Sequence, residues 1–338
     1  MRWATRAVLL SVVLLCAALS AAAKDSCPPL AILSTVNIKL GIDGRVYVPV
    51  KINNVPKSML VDTGGFFTEI TQAAAEELAL SARTSRLALV GIAGDTTRKV
   101  VRANFALGNL RADGMDLMVM TATHRLAPDL PDAAGILAPN LLQNYDLDLD
   151  LGGRKLNLIS QNHCNGRVVY WAARRIAAVP VEISGGHIFV PVELDGQRLK
   201  ALLDTGAGIS LLNLDVATRL FGLVPGAADT PVAGSLLKSQ NAQIYTHTFR
   251  SLSLEGVTVA NPKLRLIPDL VRSKVSRSPD RWGGGTRIPS SGADTGLSDL
   301  IIGMDVLRHF HLYIAYKERK LYLTAVSEPL PASGRPKQ

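Results

Sequence analysis

Leu202-Leu203-Asp204-Thr205-Gly206-Ala207 decides how this chain reads, because Met59-Leu60-Val61-Asp62-Thr63-Gly64-Gly65 states the same pattern 142 residues earlier. The match extends beyond the tripeptide. Tyr47-Val48-Pro49-Val50-Lys51-Ile52 stands over Phe189-Val190-Pro191-Val192-Glu193-Leu194, and the register then runs without a gap to Ile70 and Leu212. Composition alone would start Asp-Thr-Gly at on the order of one position in several thousand. Two copies inside a longer ungapped repeat mark an internal duplication.

Each copy reads as strand, turn and buried strand. Apolar and polar residues alternate over 46–52, Asn53-Asn54 and Asp195-Gly196 supply turns, and an apolar run leads to each Asp. The strand thus delivers a carboxylate to its end, and the Thr and Gly that follow suit a tight, hydrogen-bonded turn. One such Asp is an ordinary turn residue. Two, on two copies of one unit, can meet across a pseudo-twofold axis and share a proton. One can then take a proton from water while the other gives one to a carbonyl oxygen, which is hydrolysis without a covalent intermediate.

A second repeat follows. Gly135-Ile136-Leu137-Ala138-Pro139-Asn140-Leu141-Leu142 aligns with Leu300-Ile301-Ile302-Gly303-Met304-Asp305-Val306-Leu307 at an offset of 165, ungapped to Leu158 and Leu323. Both copies predict a helical turn and then a hairpin. With Asp-Thr-Gly-Ala and Ile301-Ile302-Gly303 both present, the chain resembles the retropepsin-like aspartic proteases. Its tandem form is similar to bacterial exported members with two lobes in one chain. The resemblance spans most of residues 30–326.

It implies an all-β fold of two pseudo-symmetric retropepsin/pepsin-like lobes, each a small closed β-barrel with one or two short helices. It implies an aspartic endopeptidase in which Asp62 and Asp204 activate water. Thr63 and Thr205 would hold the loops together, and Gly64 and Gly206 would permit the turns and supply backbone donors. The lids would be Gly91, Ile92, Ala93 and Gly94 in one lobe and Val232, Ala233 and Gly234 in the other. Neither carries the Tyr of pepsin-like flaps, and a plain surface hairpin is the rival reading. No cofactor or metal is implied, and the partner is a peptide or unfolded protein.

Lobe one departs from the pattern at Gly65-Phe66-Phe67 and at Ala138, where lobe two has Ala207 and Gly303. These departures, with Asn140, support a rival reading as an inactive peptide-binding protein on the same fold. A third Asp-Thr-Gly, at Asp294-Thr295-Gly296, follows Ser290-Ser291-Gly292-Ala293 rather than an apolar strand, and is rejected as catalytic.

The organisation expected is a signal peptide at 1–23, lobes at 30–160 and 178–326, a linker at 161–177 and a disordered tail at 327–338. Arg2, Arg6, the apolar run 7–19 and Ala21-Ala22-Ala23 carry the signal reading. An uncleaved anchor is the rival, but the run is short for a span. A periplasmic or extracellular address follows, with no stable membrane insertion. Helices are expected over 71–80 and 213–220, each behind a capping residue. The offset grows from 142 to 165 because of an Arg-, Ser- and Gly-rich loop at 268–298.

The 338 residues are 47% apolar and 5% aromatic, enough for two aliphatic cores. The net charge of +9 falls by two when Arg2 and Arg6 leave. The remaining cations are scattered with few aromatics between them, so nucleic-acid binding is not expected. Cys27 and Cys164 bracket the first repeat, and an oxidising compartment would join them. A monomer with an intramolecular dyad is preferred over a dimer of swapped lobes.

Overall fold

The computed structural model describes residues 27–90, 96–120, 126, 129–173, 175–235, 243–268 and 298–326. The expected signal segment, the expected lid residues Gly91, Ile92, Ala93 and Gly94, the Asp294 tripeptide, nearly all of the 268–298 stretch and the expected tail lie outside them.

The fold is β throughout, in two related lobes and one sheet that both lobes build. In lobe one, Val46–Ile52 pairs with Val55–Val61, which runs parallel to Ala133–Leu137. Ala133–Leu137 meets Glu69–Thr71, which runs parallel to Leu110–Met120, itself paired with Thr96–Leu107. Lys51 and Ile52 then meet Ala106 and Phe105, so six strands close into a barrel. Val48, Met59, Val61, Ile70 and Leu137 fill it, as alternate side chains of the strands must.

Lobe two repeats the path with His187–Leu194, Gln197–Leu203, Leu300–Ile302, Leu211–Asn213 and Lys263–Ile267. The long hairpin of lobe one is broken here into Gln243–Thr248, Ser251–Leu254, Val257–Ala260 and Lys263–Ile267. Pro262 has no N–H for a ladder, and Asn261 takes a positive φ of 51°. Ser251–Leu254 pairs back with His187–Leu194, as Thr96–Leu107 does with Val46–Ile52 in lobe one.

Both expected helices form. Gln72–Glu77 starts behind Thr71, whose Oγ1 accepts from Ala74 N at 3.1 Å. It ends sooner than its helix-forming composition suggests, with Ala79 at φ 50°. Leu214–Phe221 starts behind Asn213 and stops at left-handed Gly222.

The shared sheet runs Ile32–Asn37, Lys155–Ile159, Asp146–Asp150, Phe310–Ala315, Lys320–Ala325, Ala177–Pro180. Three strands come from each half of the chain. The halves meet where Leu147, Asp148 and Leu149 face Ile314, Tyr313 and Leu312. One face is aliphatic and joins the main core through Leu147, Leu149, Leu156, Leu158, Leu312, Ile314, Leu321 and Leu323. The other face buries Asp146, Asp148, Asn157, His311 and Tyr313.

Residues 161–173, the first part of the expected linker, cover that second face. Val168 is fully buried, and Trp171 stacks on His311 with centroids 3.9 Å apart. Asp146 Oδ2 takes a hydrogen bond from His163 Nε2 at 2.7 Å, and Asp148 is held by His311, Tyr170 and Asn157. Cys164 is disulfide-bonded to Cys27, Cα to Cα 5.1 Å. The polar start at 161–167 hid the packing, which the apolar run at 168–173 carries.

Candidate active site

Asp62 and Asp204 stand at the ends of Val55–Val61 and Gln197–Leu203. Each is fixed to the neighbouring parallel strand: Asp62 N donates to Leu137 O at 2.9 Å, and Asp204 N to Ile302 O at 3.0 Å. The two carboxyl groups lie within hydrogen-bond reach of each other.

The threonines lace the two turns together. Thr63 N donates to Thr205 Oγ1 and Thr205 N to Thr63 Oγ1, both at 3.1 Å. Thr63 Oγ1 donates to Leu203 O at 2.7 Å, and Thr205 Oγ1 to Val61 O at 2.6 Å. Both threonines are completely buried, so the four bonds exclude water and mirror one another.

The glycines are demanded by the opposite acid. A Cβ on Gly64 would stand 2.4 Å from the Asp204 carboxyl carbon, and one on Gly206 2.4 Å from that of Asp62. Their N–H groups do a second job. Gly64 N donates to Asp62 Oδ1 at 2.9 Å. Gly206 N and Ala207 N donate to Asp204 Oδ1 at 2.8 and 3.0 Å.

Burial raises both carboxyl groups above their ordinary range, and the charge of Asp204 raises Asp62 further. Two acids in this contact cannot both ionise cheaply, so the pair holds one proton between them. Each side chain still keeps some exposure to solvent. The arrangement can therefore deprotonate one small polar molecule and protonate another.

A second clamp was not read from the sequence. Thr68 N and Oγ1 donate to Asn140 Oδ1 at 2.8 and 2.9 Å, and Thr68 Oγ1 accepts from Ala138 N. Ser210 N and Oγ donate to Asp305 Oδ1 at 2.9 and 2.6 Å, and Ser210 Oγ accepts from Gly303 N. Asn140 and Asp305 each use one acceptor oxygen, so the amide serves as well as the acid. The aligned repeats held this signal: a hydroxyl six residues after each Asp, and Asn or Asp two after Ala138 or Gly303.

Ala138 and Gly65 explain each other. In lobe two, a Cβ on Gly303 would stand 2.8 Å from Ala207 O, and Met304 N donates to that oxygen at 2.8 Å. In lobe one Pro139 replaces Met304 and has no N–H to give. The loop need not approach so closely, and the methyl that lobe two carries on Ala207 sits on Ala138, beside the bare Gly65.

Among the proposed lid residues, Gly91, Ile92, Ala93 and Gly94 lie outside the described residues. The strands on either side pair as a hairpin, Leu89 with Thr97 and Val90 with Thr96. Val232, Ala233 and Gly234 lie on Val232–Ser235, an exposed edge strand paired with Gln243–Thr248. Among the described residues, no three or more His, Cys, Asp or Glu side chains gather as a metal site.

The model of a family described as aspartyl protease matches the chain twice, over residues 48–140 and 190–306. The first match contains Asp62-Thr63-Gly64 and the second Asp204-Thr205-Gly206, together with the later Asp294-Thr295-Gly296. No curated protein matches the chain.

Proposed function

We propose, from the premise that the chain belongs to the aspartyl protease family, that it is an exported, single-chain aspartic endopeptidase acting through Asp62 and Asp204. The observation that carries the reading is the contact of the two carboxyl groups between mirrored Thr63 and Thr205 bonds. In the reaction one carboxylate takes a proton from the attacking water, and the other gives its proton to the carbonyl oxygen of the scissile bond. The pair then returns a proton to the departing amine. The backbone donors of Gly64, Gly206 and Ala207 keep the acids oriented through both steps. Export rests on the leader-like residues 1–23, and the substrate is an extended peptide or unfolded protein.

The test is hydrolysis of an unstructured protein across a pH series by wild type, Asp62→Asn and Asp204→Asn. Each variant should lose at least ~10³-fold in kcat, since either substitution removes half of a shared-proton pair. If wild type and both variants are equally inert at every pH, the chain is a peptide-binding member of the fold.

A further inference from the structure

Lobe one lacks one of the ties that hold its partner's dyad loop, the bond from Met304 N to Ala207 O, yet its loop is seated. Pro139 offers no N–H where Met304 donates to Ala207 O. The replacement comes from the other lobe. His187 opens the strand His187–Leu194, and its Nε2 lies 3.0 Å from the Gly64 carbonyl oxygen. Its ring meets Phe66 edge-on with centroids 4.4 Å apart, and backs onto Phe189 at 6.4 Å. The turn before it presses on lobe one too: a Cβ on Gly186 would stand 2.8 Å from Pro139 Cβ. At the matching place in lobe one stands Arg45, whose side chain passes Gly208 without a hydrogen bond to that loop.

We propose that His187 is a positioning residue for the dyad, a cross-lobe strut that seats the first lobe's loop by donating Nε2–H to Gly64 O and bracing Phe66. The donor is present in both the protonated ring and the neutral Nε2–H tautomer, so the strut survives titration. Its charge does not. Of the dyad acids, Asp204 is the one whose charge the ring feels. Lys200 lies over the Phe189 ring and is paired with Glu182, so these two largely cancel. Burial holds the imidazole below its usual range. When it does gain a proton, the added charge favours an ionised dyad and extends activity toward acid pH.

This inference rests on the protease reading for its kinetic arm only. His187→Ala should lower kcat on the order of 10- to 100-fold with a smaller change in KM, as a displaced acid would. His187→Gln keeps a donor of similar reach and should restore most of kcat. The acid limb of its kcat/KM profile should move to higher pH, because the nearby cation is gone. If His187→Ala matches wild type, or His187→Gln is as impaired with unmoved limbs, the strut is wrong. Amide hydrogen exchange gives an arm independent of activity. In His187→Ala, residues 64–68 should exchange faster than in wild type while 206–210 do not, and equal exchange at 64–68 overturns the inference even if the chain hydrolyses nothing.

Discussion

Residues 62–68 and 204–210 are copies of one loop set among different neighbours. At their centre they are interchangeable: Thr63 and Thr205 exchange the same bonds at the same lengths. Two residues further on they part. Loop two is pinned within its own lobe, by Met304 N on Ala207 O and by the bare Cα of Gly303. Loop one has Ala138-Pro139 there, and is met by His187 from the other lobe. The difference teaches that a duplicated site must keep the atoms that touch the chemistry. The ties that hold them can be rebuilt on one side, provided that volume and hydrogen bonds are replaced.

The symmetric centre makes the largest prediction. Thr63→Val and Thr205→Val each strand a buried N–H and a buried carbonyl, and should each cost roughly 2–5 kcal/mol. Urea unfolding of the two variants should agree to within ~0.5 kcal/mol. A wide gap would show that the lacing is not shared equally. The asymmetric rim comes next. Gly303→Ala pushes a methyl to 2.8 Å from the Ala207 oxygen and the Ile209 carbonyl carbon, and should cost ~1–3 kcal/mol. Ala138→Gly removes a methyl and should cost under ~1 kcal/mol. In the same assay, adding Ala138→Gly to Gly65→Ala should relieve part of the strain of Gly65→Ala alone, because the two sites share one methyl's space.

The smallest effect concerns charge. The folded state raises both dyad acids, so wild type is most stable when the pair is protonated, and it loses stability as pH rises through the raised folded values. Asp62→Asn removes that loss. It should leave thermal stability nearly unchanged near pH 4 and gain on the order of 1 kcal/mol near pH 8. A stability gain at acid pH instead would reverse the sign of the argument.

The paired Asp-Thr-Gly turns were legible because they are local and repeated. Asp-Thr-Gly after an apolar strand, twice in one register, needs no knowledge of what lies across from it. The strand pairs around Val46–Ile52 and the Thr71 and Asn213 caps were legible for the same reason. What escaped was everything decided across a distance. His187 is a lone histidine at a strand start, and nothing beside it in the sequence says that it faces the opposite loop. Gly65 and Ala138 read as two separate departures, because nothing in one dimension says that they touch. The connector read only as a linker because the breakers Asn162, Asn165 and Gly166 dominate its start, while later Val168 is buried and Trp171 packs half-buried on His311.

The shared sheet carries one more consequence. At its seam Asp148 faces Tyr313, its own counterpart in the duplication, and Asp146 corresponds to His311. Two copies of the first half, joined along this edge, would crowd carboxylates together with no imidazole to answer Asp148. Two copies of the second half would set histidines and tyrosines where their acids should be. The halves have become left and right hands, each able to clasp the other and neither able to clasp itself.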